Sequence, residues 1–190
     1  MFALSVKQPW AECLVNGSKS IEIRTWQPSP DLREKVMRAN RLRLGLSDYP
    51  LLAIHAGKSI ALDAPVRIWE LARMRPAHPS MVSRLGGIVG VARLVAWHWY
   101  RTDGQVANPL DGRRASLPHG RDLFEREQPL HLNPLEWWAE GLCAWVFAGA
   151  VRLETVLPLR GQLGVWDLPA EVEAMVHREI DGIREAKASG

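Results

Sequence analysis

With 190 residues and 47 % apolar content, the chain suits one domain with decorations better than two full domains, and it can bury a real core. Its 24 basic against 21 acidic residues leave a net charge of +3, and an isoelectric point near 9.1 tilts the surface toward anionic partners such as phosphate backbones. The sequence holds no apolar run of the roughly 18 residues a membrane span needs, no signal-peptide layout at Met1–Lys7, and only two distant cysteines, Cys13 and Cys143, without metal-ligand spacing; a soluble, cytoplasmic protein with buried thiols, no disulfide framework and no metal site is expected.

Ala3 to Val6 predicts a short strand. Pro9 then occupies a first-turn helix position, Trp10, Cys13 and Leu14 follow at helical spacing, and Gly17 is placed to stop that helix. Ile21, Ile23 and Thr25 alternate with Glu22, Arg24 and Trp26, the two-residue period of a strand with one functionalised face. Residues 27–50 read as an excursion whose prolines, Pro28 and Pro30, precede a charge-rich helix from Asp31 that runs on toward Arg43. Leu51–Ala56 predicts a buried strand, and Ala64–Met74 a helix that buries Val66, Ile68 and Trp69 before Pro76 and Pro79 end it.

Gly86-Gly87 marks a turn into a long strand from Ile88 to Trp97. Residues of about 98–141 mix Gly, Pro, Asn, Asp and charge, which predicts a long loop or lid with one helical turn near Pro134–Glu140. Cys143–Leu159 supplies two strand-like runs around Gly149 and Pro158, Leu163–Leu168 another, and Glu171–Lys187 has the charge pattern of an exposed terminal helix. The sum is an α+β class, a small β-barrel of five to seven strands flanked by helices. The expected layout is one domain over residues 1–170, with insertions at about 27–50 and 98–141 and a C-terminal helix over 171–190.

Chemistry concentrates in Lys7-Gln8-Pro9-Trp10 and in Gly17-Ser18-Lys19-Ser20-Ile21-Glu22-Ile23-Arg24-Thr25-Trp26. On one strand face Glu22, Arg24 and Trp26 project together, and Lys19 sits in the turn before them. Such a set can read a nucleotide: cations meet phosphate, the carboxylate accepts from an exocyclic amine, and the indole stacks on a base. Nine tryptophans against three phenylalanines and two tyrosines add to that reading, although core packing is the commoner use of Trp.

The stretch Gly17, Lys19, Glu22, Arg24 resembles the signature Gly-x-Lys-x-x-Glu-x-Arg of the ASCH family, relatives of the PUA domain. Gln8-Pro9-Trp10-Ala11 is similar to the family's lead-in to its first helix, Leu52–Lys58 to its second conserved strand, Gly87–Val91 to its third, and Pro158–Trp166 to its closing segment. The resemblance covers about half the chain and implies a PUA-like barrel with a cleft beside the signature that binds RNA or related nucleic acids. Roles in the family are mixed: coactivator-like modules, small amidohydrolases that deacetylate N4-acetylcytidine, and ribonuclease activity. On the amidohydrolase reading Lys19 aligns with the lysine that acts at the scissile amide. Glu22 departs from that pattern, because the small deacetylases carry a hydroxyl residue there. A lysine acting as base or nucleophile must shed its proton, which a neighbouring carboxylate opposes.

Plainer readings stand beside these. Glu22 and Arg24 can be a surface ion pair, Trp10 a core residue, His55 a core histidine bonded to backbone, and Lys58 a solvated side chain. Arg33, Lys35, Arg38, Arg41 and Arg43 form either a phosphate-tracking patch or a solvated helix face. The adjacent Trp137 and Trp138 cannot both point the same way, and His78, His98, His119, His131 and His177 show no zinc or dyad spacing. The sequence therefore predicts RNA, nucleic-acid or nucleotide binding through Gln8, Trp10, Lys19, Glu22, Arg24, Trp26, His55 and Lys58, with no cofactor. The alternatives are a hydrolase acting on RNA or a modified nucleoside through Lys19 and Glu22, and a protein-interaction adaptor.

Overall fold

The computed structural model describes residues 1–75, 78, 82–100, 105–107, 114–116 and 143–188. Along the chain they form β1 (Phe2–Gln8), α1 (Trp10–Val15), β2 (Ile21–Arg24), α2 (Pro30–Arg41), a 3-10 turn (Leu46–Asp48), β3 (Leu51–Ile60), α3 (Val66–Leu71), β4 (Gly87–Tyr100), β5 (Gln105–Ala107), β6 (Arg114–Ser116), β7 (Cys143–Pro158), β8 (Val165–Asp167) and α4 (Ala170–Ala188). The fold is α+β, as expected. Among the described residues a mixed sheet follows the order β2-β7-β4-β3-β1-β8, and the short β5 and β6 bring its strands to eight. The six strands of the main path match the predicted number; the extra hairpin lies in a stretch that reads as loop because its strands are only three residues each.

The chain divides into two units. The first comprises Met1–Ser18, Leu51–Ala92 and Ala150–Gly190, the second Lys19–Pro50 and Arg93–Gly149, and β4 and β7 each contribute residues to both.

In the first unit β1 and β3 run parallel, in register from Phe2 opposite Leu52 to Val6 opposite Ala56. Ala3, Leu4, Val6, Leu52, Ala53, Ile54 and Ala56 are all buried, the near-continuous apolar run of strands covered on both faces. Helix α1 packs on both strands and buries every residue from Ala11 to Val15. Gly17 follows its cap at φ +77 and donates its N–H to Leu14 O, so the predicted glycine stop is in place.

Helix α4 is not the exposed element its charges suggest. Val172, Val176, Ile180 and Ile183 recur at helical spacing, and Val176 and Ile180 are buried in a cluster with Ala3, Ala53, Ile88, Leu153 and Trp166. Each buried branched side chain of this kind contributes about 1.5–3 kcal/mol, enough to hold the helix down. Val66 departs from expectation the other way, being 75 % exposed, whereas Ile68 and Trp69 are buried. At about 100° per residue, Val66 lies nearly opposite Ile68 on α3 and cannot share its face.

In the second unit, the charged excursion is an anchored amphipathic helix. Leu32, Val36 and Ala39 form the buried stripe of α2, Ser29 caps it by accepting from Leu32 N, and Asp31 in the first turn with Arg38 and Arg41 in the last turn match the helix dipole. Cys143–Pro158 is one strand where the sequence suggests two runs, because Gly149 takes φ +59 within it and lets the strand continue past the irregularity. Pro76, Pro79, the expected turn at Pro134–Glu140, Trp137, Trp138, His119 and His131 lie outside the described residues.

Candidate functional site

Strand β2 pairs antiparallel with β7, Ile21 opposite Val146, Glu22 opposite Trp145 and Arg24 opposite Cys143. Two-residue alternation puts Glu22 and Arg24 on one face, and their side chains meet there, Arg24 NH2 lying 3.2 Å from Glu22 Oε1. Lys19, in the turn before the strand, reaches the other carboxylate oxygen and donates to Glu22 Oε2 at 2.7 Å. Lys19 is only 5 % exposed, whereas the Arg24 side chain retains 20 % of its surface.

The strand ends at Arg24, so Trp26 sits in the bend beyond it rather than on the strand face expected from the alternation. It still joins the group. The Arg24 guanidinium carbon lies 5.8 Å from the Trp26 ring centroid, within cation–π range. Trp26 meets Trp145 edge-on at 4.8 Å, and Trp145 Nε1 donates to Trp26 O at 3.1 Å. One carboxylate thus holds two cations, and a buried indole props the half-buried one that lies against Arg24. The Cys143 thiol opposite Arg24 is pushed up to about 12 by burial and stays protonated, which removes it as a nucleophile.

The other four expected residues belong to the first unit. Gln8 is fully buried and committed to structure, its Nε2 donating to Arg84 O and its Oε1 accepting from Glu12 N, both at 3.0 Å. His55 is buried as well. Its Nε2 lies 2.9 Å from Leu159 O and its Nδ1 3.4 Å from Ser5 Oγ, and its ring packs edge-on to Trp166 at 5.8 Å. A carbonyl only accepts, so Nε2 carries the proton; desolvation also lowers the His55 pKa from its ordinary value, which fits a neutral core histidine. Trp10 is half-buried at the start of α1, and Lys58 is exposed on β3. The eight residues are therefore not one cluster in a single unit: Lys19, Glu22, Arg24 and Trp26 stand together in the second, and Gln8 and His55 are packing residues of the first.

Residues 4–95 match the family model described as ASCH domain. That segment, just under half of the chain, is similar to an ASCH domain. No curated protein matches it. The chain is similar to the crystal structure of ASCH from Zymomonas mobilis, at TM-score 0.45 and 15 % identity over 93 % of each chain. Crystal structures of two mutant forms of that protein give TM-scores of 0.44 and 0.45 at 16 % and 15 % identity, covering 93 % of this chain and 94 % and 96 % of theirs.

In the first unit one polar network escapes sequence reasoning. Glu12 sits among the buried residues of α1 with 3 % of its side chain exposed, and Arg84 Nε reaches its Oε2 at 3.1 Å. Arg84 also donates from Nη1 to Leu153 O and from Nη2 to Val89 O, each at 3.1 Å, so every nitrogen of the buried guanidinium is engaged. Burial lowers the Arg84 pKa from its ordinary value, and Glu12 opposes that shift. Arg152 Nε pairs with the second Glu12 oxygen. A carboxylate at a buried helix position was the available signal; its partners are 72 and 140 residues away and nothing local announces them. Among the described residues no group of His, Cys, Asp and Glu could hold a metal, and no helix is long and apolar enough to cross a membrane.

Proposed function

We propose that the second unit binds single-stranded nucleic acid, RNA in particular, or a nucleotide-like ligand, through Lys19, Arg24 and Trp26. The observation that carries this reading is the convergence of two cations on one carboxylate, with the Arg24 guanidinium against Trp26. Two cations against one carboxylate give the group a positive character that suits a phosphate, while the partly exposed indole offers a stacking surface. Glu22 is held by both neighbours, so its part is to orient them rather than to read a base. The match to the ASCH family supports a nucleic-acid ligand, and the exposed Arg38, Arg41 and Arg43, at and beyond the C-terminal end of α2, add positive charge to the same unit.

The hydrolase alternative needs a Lys19 amine free to take or give a proton, and its bond to Glu22 opposes that. The test is to mix the purified protein with a labelled single-stranded RNA and, separately, with N4-acetylcytidine, following mobility, RNA length and acetate. Shifted, uncut RNA without acetate, weakened by Arg24→Ala, supports binding. Product that accumulates with time and vanishes in Lys19→Ala makes the protein a hydrolase. Loss of thermal stability alone in a Lys19, Glu22, Arg24 triple alanine variant leaves the adaptor reading.

A further inference from the structure

The first unit contains a cleft of about 770 Å³, within the range of small-molecule sites. Its lining brings three guanidiniums, Arg73, Arg84 and Arg152, against two carboxylates, Glu12 and Glu70. Arg84 is spent on Glu12 and two backbone carbonyls. Arg152 differs: only its Nε is used, on Glu12, its side chain is 45 % exposed, and its terminal nitrogens make no hydrogen bond among the described residues. The buried Glu12–Arg84 pair thus serves as a fixed anchor that aims the outer half of Arg152 into the cleft.

Arg73 provides the second arm. It ends α3 in a left-handed turn at φ +53, with Arg73 N donating to Glu70 O and Met74 N to Trp69 O, both at 2.9 Å. This is a Schellman closure, whose left-handed position favours glycine, yet a long cationic side chain occupies it on the cleft wall. The wall is braced, because Asn16 Nδ2 donates to Leu71 O at 2.9 Å and Ser18 N and Oγ both bond Asn16 Oδ1. The ends of α1 and α3 are thereby tied together at the rim.

We infer that this cleft binds a small phosphomonoester, its phosphate taken by the terminal nitrogens of Arg152 and by Arg73. Two guanidiniums supply more N–H donors than the two oxygens of a carboxylate engage, which matches the three terminal oxygens of a phosphate. The volume leaves room for a sugar-sized remainder. The site uses none of Lys19, Glu22, Arg24 or Trp26, so it stands or falls apart from the nucleic-acid reading.

The test is calorimetric titration of the full chain with ribose 5-phosphate, which carries a phosphate without a base, against ribose and inorganic phosphate. Ribose 5-phosphate binds the wild-type chain, phosphate binds more weakly, and ribose does not bind. Arg152→Gln and Arg73→Gly each raise Kd at least tenfold, while Arg67→Gln, at an exposed arginine of the same unit outside the cleft lining, leaves it unchanged. Arg73→Gly relieves the left-handed residue, so its melting temperature holds or rises, which separates lost binding from lost folding. Absence of binding to the wild-type chain, binding indifferent to Arg73→Gly, or loss in Arg67→Gln overturns the inference.

Discussion

Lys19 Nζ lies 2.7 Å from Glu22 Oε2, and both side chains are almost wholly buried. That contact sits at the centre of the signature, because the same carboxylate also takes Arg24. Removing one partner of a buried ion pair leaves an uncompensated charge. Glu22→Gln should therefore cost about 3 kcal/mol of stability, seen as a fall in melting temperature of roughly 6–12 °C for a chain of this size. An unchanged melting curve would mean that water reaches the pair.

The Glu12 network predicts an asymmetry. Arg84 is buried and depends on Glu12, so Glu12→Gln should destabilise by about 3–5 kcal/mol. Arg152 is nearly half exposed, and Arg152→Gln should cost about 1 kcal/mol or less. Urea denaturation separates them through the midpoint at constant slope; equal costs would contradict the assignment of Arg84 as the dependent cation.

His98 is buried in β4, and desolvation lowers its pKa from 6.5 to about 4. His55 shifts in the same direction for the same cause. A base whose folded pKa is depressed binds its proton first in the unfolded state, so stability is complete above pH 6.5 and falls as pH drops toward about 4. Each pH unit in that window removes up to about 1.4 kcal/mol per histidine. Denaturation at pH 7 and pH 5 should show this loss, and His98→Gln should reduce it; identical midpoints at the two pH values would refute the buried neutral histidines.

Legibility followed sequence distance. Gly17, Lys19, Glu22 and Arg24 could be grouped because a turn and a two-residue period are local rules; the predicted glycine stop is present, and so is the Glu22–Arg24 ion pair that stood as the plainer reading. Trp145 could not be added, since its place opposite Glu22 depends on the register of β7, more than a hundred residues away. The same distance hid the Glu12–Arg84 pair. His55 read as either a core or a cleft residue, and the choice rests on Leu159, Ser5 and Trp166, which are local to nothing near it. The charges of α4 concealed the Val176 and Ile180 stripe that docks it.

Nucleic-acid binding through Arg24 is tested by equilibrium binding of a single-stranded RNA over a range of salt, for the wild-type chain and Arg24→Ala. Each phosphate contact adds about 0.7 to the slope of log affinity against log salt. Binding by the wild-type chain should be salt-sensitive, with a slope that shrinks by about 0.7 in Arg24→Ala and an affinity reduced roughly five- to tenfold, about 1–1.4 kcal/mol. Equal affinity and equal slope for the two proteins, or no binding by the wild-type chain, would contradict it.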